Sequence, residues 1–321
     1  MIENNVWKSI LKRQAIAIKK YTIDDNPSAF PLLEFSIIEV AGNDRYSFLQ
    51  NQLTGNLKKN KKISQLSAWC NPKGRVIANL IVINTGESYL LIFKKDLKDY
   101  VQEKLSMYIL RSEVIINDLS NLYFLLGLSN IDKLKLDDST VLLSGNDVEF
   151  VNKKYITRLP NFSERILIIG NIELLDSTLS DLKKTFDFVD YSVWKKLDIL
   201  SKLPWINFDI KEKYLPQMID LDKLNAVSFK KGCYTGQEII ARAHYRGKVK
   251  RIMKLICSKR ELHHGDHLYM NNPKGKVGEI LNSSSSQPNG DSFHLAIIES
   301  DKLNHDLFAD PLSKYKIRII K

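Results

Sequence analysis

Residues 228–251 read SFKKGCYTGQEIIARAHYRGKVKR and place Cys233 a few residues before a predicted helix. Thr235 and Glu238 have the spacing of a capping box, in which the hydroxyl and the carboxylate each bond to the backbone amide of the other residue. The apolar residues that follow recur at helical spacing, so we predict a helix over 236–245. Cys233 would then lie at a helix N-terminus, where unpaired amides and the positive end of the helix dipole favour negative charge.

Cys233 is the candidate reactive group of the chain, with Lys231 grouped beside it as a candidate catalytic residue. Lys230 and Lys231 precede the cysteine, and cations near a helix N-terminus favour the thiolate form. The alternative is a small buried residue with a packing role, which is common for free cysteine. Cys70 and Cys257 lie in apolar, strand-like runs, so packing is the prediction for both.

A basic run continues the stretch through the end of the predicted helix. Cations interleaved with an aromatic such as Tyr245 can grip a chain of phosphates. The residues of this predicted nucleic-acid patch are Arg242, Arg246, Lys248, Lys250 and Arg251. An ordinary solvated helix end is the alternative, because cations favour the C-terminus of any helix.

Composition sets broad limits on the class of protein. The chain has 321 residues, of which 44% are hydrophobic, so two or three globular domains are expected. The net charge is 48 − 37 = +11. This charge suits a polyanionic partner, while a lysine-rich composition inherited from an AT-rich genome is the alternative.

The cysteines and the apolar runs indicate the cellular setting. Three widely spaced cysteines form neither a disulfide framework nor a metal-ligand pattern, so we expect no metal site and a reducing cytoplasmic location. No apolar run has the length of a transmembrane helix, and the first residues lack the features of a secretory signal. We therefore expect no membrane association.

The hydrophobic patterns predict an α+β fold. A strand at 33–40 precedes a helix at 45–53, and strand-like runs separated by turns form an antiparallel meander over 67–93. Strands and helices then mix without regular alternation, which favours α+β over a doubly wound sheet. After Gly247 four short strand patterns follow without a helical pattern between them. This change predicts a small C-terminal β-barrel, with a boundary near 245–250.

Residues 231–238, KGCYTGQE, are similar to the signature of the YgfZ family of folate-binding tRNA-modification proteins. This family is related to the glycine-cleavage aminomethyltransferase, and its mitochondrial members serve iron–sulfur assembly. Further similarity lies in VAG at 40–42, FLQNQLT at 48–54, NPKGR at 71–75 and YLPQ at 214–217. The resemblance covers most of the chain and is weakest at 120–185.

The resemblance implies a fold like that of the aminomethyltransferase, with a folate pocket in the middle. Two interleaved α+β domains within 1–245, one of them roughly 42–115, would surround this pocket, and 246–321 would form the β-barrel. Folate contacts in the family include two tryptophans. Trp194 matches one of them, and Phe35 stands at the other position. Phe35 keeps an aromatic face for stacking on the pterin but lacks the indole N–H.

The enzyme relatives provide a contrast at the meander. They carry paired aspartates at the positions where this chain has Ala78 and Asn79. Neither replacement can act as a base or form an ion pair with an amine. The resemblance therefore implies the fold without the known transferase residues, and the expectation leans away from an enzyme.

Three functions stay open from the sequence. The first is a monomeric, cytoplasmic, folate-binding accessory protein that supports tRNA modification, with iron–sulfur tRNA-modifying enzymes or tRNA itself as partners. The second is a tetrahydrofolate-dependent one-carbon transferase, which Asn79 disfavours. The third is a plain RNA-binding module, whose affinity would depend steeply on salt and would not require Cys233.

Overall fold

The computed structural model describes residues 2–20, 26–130, 134–136, 139–141, 143–247, 249–270, 275–284 and 290–320. The helices are α1 (Ile2–Arg13), α2 (Arg45–Gln52), α3 (Lys98–Ser106), α4 (Leu175–Leu182), α5 (Tyr191–Leu200) and α6 (Gln237–Tyr245). The strands are β1 (Ser28–Pro31), β2 (Phe35–Ala41), β3 (Ser64–Cys70), β4 (Val76–Asn84), β5 (Tyr89–Lys94), β6 (Ile115–Asp118), β7 (Tyr123–Ser129), β8 (Leu134–Leu136), β9 (Ser139–Val141), β10 (Val148–Val151), β11 (Lys154–Leu159), β12 (Phe162–Asn171), β13 (Asp187–Phe188), β14 (Arg251–Ser258), β15 (His267–Tyr269), β16 (Lys276–Ser283), β17 (Ser292–Glu299) and β18 (Arg318–Ile320). Short 3₁₀ helices lie at Lys95–Leu97, Ile172–Leu174, Phe208–Ile210, Pro216–Ile219 and Ser300–Lys302.

The first sheet has the strand order β3-β4-β5-β2-β6, and its pairs are antiparallel. Strand β4, which lies between β3 and β5, has the sequence VIANLIVIN, and all nine residues are buried. A run of this kind fits a strand that is covered on both faces, because one-sided strands alternate apolar and polar residues. The meander predicted over 67–93 is confirmed by this arrangement.

The second sheet has the order β10-β11-β12-β7-β1-β13 and is interleaved with the first along the chain. β1 precedes the first sheet, yet it pairs antiparallel with β7, which follows that sheet. The first sheet is therefore inserted between two neighbouring strands of the second. This topology confirms the predicted α+β class with interleaved domains.

The third sheet contains the last five strands in the order β15-β16-β17-β14-β18. Bridges from Tyr269 to Phe308 and from Phe308 to Lys316 connect the β15 edge to the segment that leads into β18. The two edges of the sheet are thus linked, as the predicted barrel requires. Its core is separate from the large cluster that the other two sheets share with the connecting segments.

Two negative findings concern the described part of the chain. None of its helices combines the length and apolarity that a membrane span needs. No cluster of three or more histidine, cysteine or acidic side chains in these residues could hold a metal ion.

Candidate functional site

The signature segment is fixed to α2 through Lys231. Its Nζ atom donates to the backbone carbonyls of Gln50 (2.7 Å), Leu53 (2.8 Å) and Gly55 (2.8 Å). An ammonium has three donors, so these bonds use its full capacity. A cation at the C-terminal end of a helix also complements the helix dipole. Lys231 therefore holds the signature segment against the end of α2. Burial lowers the pKa of this side chain to about 8.

The predicted capping box is wrong. α6 begins at Gln237, and its N-cap is Gly236 at φ 82°, without a side-chain capping bond. An added Cβ on Gly236 would lie 2.5 Å from the carbonyl oxygen of Asn71, so this contact requires glycine. The contact moves the helix start by one residue, and Glu238 instead pairs with Arg242 at 3.0 Å.

The buried face of α6 is narrow. Ile240 is fully buried, whereas Ala243 is half-buried and Ile239 is exposed. Gln217 reaches across and donates from Nε2 to the carbonyl of Ile240 at 2.7 Å. The helix thus rests on the turn after β3 and on the segment that contains Gln217.

Cys233 is exposed, whereas Cys70 and Cys257 are buried, as predicted for packing residues. Burial raises the pKa of Cys70 far above its usual range. Among the three cysteines, Cys233 is therefore the one that a reagent or a partner can reach. Exposure removes the packing alternative for Cys233 and leaves its reactivity as a prediction.

The predicted nucleic-acid patch is spread over the end of α6 and the start of the barrel. Arg246, Lys250 and Arg251 are exposed. Arg251 lies 3.7 Å from Glu299, and Arg242 already pairs with Glu238. Lys248 lies outside the described residues. Two of the predicted cations thus have an acidic partner within the chain.

Asn79 has a structural role in the meander. Its Nδ2 donates to the carbonyl of Pro204 (2.8 Å), and its Oδ1 accepts from the amide of Ile206 (2.9 Å). Asn79 is buried, and the neighbouring Ala78 is also buried but projects from the opposite face of the strand. The Asn79 side chain therefore positions the segment around Trp205, and both ends of its amide are occupied by the backbone of that segment.

A cavity of about 310 Å³ lies where the meander, α5 and the barrel meet. Tyr191 and Trp205 are its aromatic lining residues, and Lys94 lies beside Tyr191. Lys94 Nζ donates to the Tyr191 hydroxyl at 2.9 Å and lies 4.6 Å from the centre of the Phe35 ring. The other lining residues are Glu34, Lys95, Asp96, Lys195, Asn207, His263, His264, Leu281, Asn282 and Ser283. We call this space the central cavity.

Trp205 is held in place from three directions. Its Nε1 donates to Asp198 at 2.9 Å. Its backbone amide and carbonyl exchange two bonds of 2.9 Å with the Asn282 side chain of the barrel. Asn79 fixes the residues on either side. This network gives the central cavity a preorganised aromatic wall.

The two aromatic residues predicted to contact folate lie behind that wall. The Phe35 ring meets the Trp205 ring edge-on, at 4.8 Å between centroids, and is 4% exposed. Trp194 is 1% exposed and packs on Phe30 and on Gly127, where an added Cβ would lie 2.5 Å from the indole. Trp205, which is itself 5% exposed, is a lining residue of the central cavity, whereas Phe35 and Trp194 are not.

Electrostatics distinguish Lys94 from the surface lysines. Burial lowers the pKa of Lys94 to about 8, although Glu34 and Asp198 oppose this shift. Burial also lowers the pKa of the neighbouring Lys195. A ligand that brings negative charge to this wall would recover part of the cost of desolvating two ammonium groups.

The chain is similar in sequence to proteins that carry a name. No protein-family model matches the chain. The tRNA-modifying protein YgfZ of Pectobacterium atrosepticum is 31% identical over 295 residues, which is 84% of this chain and 82% of that protein. The proteins of the same name from Pectobacterium carotovorum and Hamiltonella defensa are both 29% identical, over 86% and 89% of this chain and over 84% and 85% of their own lengths.

A solved structure shows the same fold at low sequence identity. The glycine cleavage system aminomethyltransferase T from Bartonella henselae superposes with a TM-score of 0.71 and 15% identity, over 97% of this chain and 88% of that chain. This likeness confirms the predicted fold. The sequence identity to the relatives named YgfZ extends over most of both chains. This chain therefore belongs to the YgfZ family.

Proposed function

We propose that this chain binds a folate in the central cavity and supports tRNA modification as an accessory protein in the cytoplasm. The observation that carries the proposal is the cavity wall of Tyr191, Trp205 and Lys94 in a chain whose relatives are named tRNA-modifying proteins. The volume of the central cavity, about 310 Å³, lies in the range of small-molecule sites.

The chemistry of a folate matches the residues present. The flat pterin has ring faces for Tyr191 and Trp205 and N–H donors for a carboxylate such as Glu34. The glutamate tail carries carboxylates that suit Lys94 and Lys195. Phe35 and Trp194 support the wall from behind rather than touching the ligand. A folate would supply one-carbon or redox chemistry when bound, and these residues bind and orient it.

Cys233 is the proposed reactive group for the tRNA-modification role, which would be exerted through maintenance of iron–sulfur enzymes. Its exposure lets it meet a partner, while Lys231 and the α6 contact fix the loop that carries it. The one-carbon transferase alternative lacks a carboxylate at Ala78 and Asn79, and the Asn79 amide is taken up by the backbone around Trp205.

Calorimetric titration with tetrahydrofolate tests the central cavity. We expect Trp205→Leu and Lys94→Met each to weaken binding by about tenfold, because stacking and charge pairing each contribute on the order of 1 kcal/mol. The matched control Lys12→Met removes a charge from the exposed surface of α1 and should leave the affinity unchanged. Unaltered affinity in both cavity variants, with the fold retained by circular dichroism, would refute the proposed site.

A further inference from the structure

A second cavity of about 740 Å³ shares no lining residue with the central cavity. It lies between the turn after β3, helix α3 and residues 212–213. Six of its lining side chains define its character: Trp69, Tyr100 and Tyr108 are aromatic, and Lys73, Arg75 and Lys104 are cationic. We call this space the α3 cleft.

The aromatic residues of the α3 cleft form a wall with one exposed ring. Trp69 is buried, and Tyr108 meets it edge-on with 6.3 Å between ring centroids. Tyr108 is 40% exposed, so a flat group can approach its ring. Tyr100 is half-buried and is anchored by a 2.7 Å bond from its hydroxyl to Glu212. A planar aromatic ligand could therefore stack at Tyr108 against a fixed background.

The charges of the α3 cleft favour an anion. Within the described residues, Lys73, Arg75 and Lys104 take part in no ion pair. Glu212 is the acidic lining residue, and its second oxygen accepts from Asn71 at 3.2 Å. Lys213 is a fourth cationic lining residue, but it pairs with Glu279. Three cations without an ion pair therefore line the cleft beside one hydrogen-bonded carboxylate. Stacking and positive charge together are the features that bind nucleotides.

Cations continue beyond the α3 cleft along α6. The turn that carries Lys73 touches the start of α6, since Gly236 packs directly on the carbonyl of Asn71. At a rise of 1.5 Å per residue, Arg242 lies about 8 Å along this helix from Gln237, and Arg246 lies about 14 Å from it, at the C-cap. A single phosphate would use the cleft alone, whereas a chain of phosphates could also use these arginines.

We infer that the α3 cleft binds an unstacked nucleotide of single-stranded RNA, with the base on Tyr108 and the phosphates on Lys73, Arg75 and Lys104. This inference rests on the proposed role in tRNA modification and adds a direct RNA contact to it. The base would be bound by stacking and therefore with little sequence preference.

Fluorescence anisotropy with a labelled RNA hairpin that carries a single-stranded loop tests the inference on the full chain. We expect Tyr108→Leu to weaken binding by about tenfold, and Tyr108→Phe, which keeps the ring, to bind like the wild type. Lys73→Gln combined with Lys104→Gln should reduce the salt slope of the affinity by about 1.4. The matched control, Lys8→Gln combined with Lys12→Gln on α1, should leave that slope unchanged.

Two results would overturn the inference. One is unaltered affinity for the hairpin in Tyr108→Leu together with an unaltered salt slope in the double lysine variant. The other is adenosine monophosphate binding as tightly as the hairpin, which would assign the cleft to a free nucleotide. Folate titration of the same variants separates the two proposals, because the cleft variants should keep wild-type folate affinity. If the wild-type chain binds the hairpin but not folate, the proposed folate site is refuted and the proposed RNA site is not.

Discussion

At the residue scale, Lys231 and Trp205 show what a sequence motif can and cannot indicate. The signature marks Lys231 as important, and its three carbonyl bonds show that its ammonium holds the loop to α2. Trp205 received no role from the sequence, although it lies only 11 residues after Trp194. Its position depends on Asn79 and Asn282, and contacts at such separations leave no local pattern to read.

His294 provides a residue-scale prediction for the barrel. Its side chain is fully buried, its Nε2 lies 2.8 Å from the Ser292 hydroxyl, and its Nδ1 has no partner among the described residues. Burial lowers the pKa of His294 from 6.5 to about 4, with Asp266 opposing the shift and His263 and Lys195 adding to it. The unfolded chain therefore binds a proton between pH 6.5 and 4 that the folded chain does not.

The stabilisation from neutral His294 is fully present above pH 6.5 and is lost as the pH falls toward 4. We expect this residue to account for about 3 kcal/mol of the loss in unfolding free energy over that range. Urea unfolding of wild type and His294→Gln at pH 7 and pH 4.5 measures the difference. An equal loss of stability in both proteins would show that the histidine does not titrate as described.

At the element scale, the sequence predicted where the helices lie better than how they start. Helices were predicted over 45–53 and 236–245, and α2 and α6 lie within one residue of these bounds. The start of α6 was mispredicted because a capping box is a local pattern. A tertiary contact, in which Gly236 packs on Asn71, decided the helix start instead.

Two neighbouring substitutions distinguish these two starts of α6. Gly236→Ala should lower the free energy of unfolding by at least about 2 kcal/mol, because φ is 82° and the new Cβ would overlap the Asn71 carbonyl. Thr235→Ala should cost less than about 0.5 kcal/mol, since Thr235 makes no capping bond. Urea denaturation measures both changes. A cost near 1 kcal/mol for Thr235→Ala with a neutral Gly236→Ala would restore the capping box.

At the scale of the whole molecule, the fold could be predicted largely from pattern and resemblance. The buried strand β4 and the change to short strands after Gly247 can both be read from local sequence patterns, and the structure contains both. The central cavity is different, because its lining comes from the meander, α5 and the barrel. Which side chains meet there depends on how elements far apart in the sequence pack together, and spacing along the chain does not contain that information.

The same separation explains the division of roles that the account proposes. We propose folate binding in the central cavity, RNA binding in the α3 cleft, and reactivity at the exposed Cys233. Lys231 connects the loop of Cys233 to α2, so the thiol is held by the fold and remains open to a partner. We therefore expect that substitution can remove each role without removing the others.

The central claim is that Cys233 supports tRNA modification by iron–sulfur enzymes, such as those that thiolate tRNA. Its most direct test measures tRNA thiolation in cells in which this chain is replaced by the Cys233→Ser variant. Serine keeps the size and polarity of the side chain but removes the soft nucleophile, so we predict that thiolation support is lost while folate affinity is retained. Cys257→Ala, which alters a buried cysteine, is the matched control and should keep both activities. Full thiolation with Cys233→Ser would contradict the account.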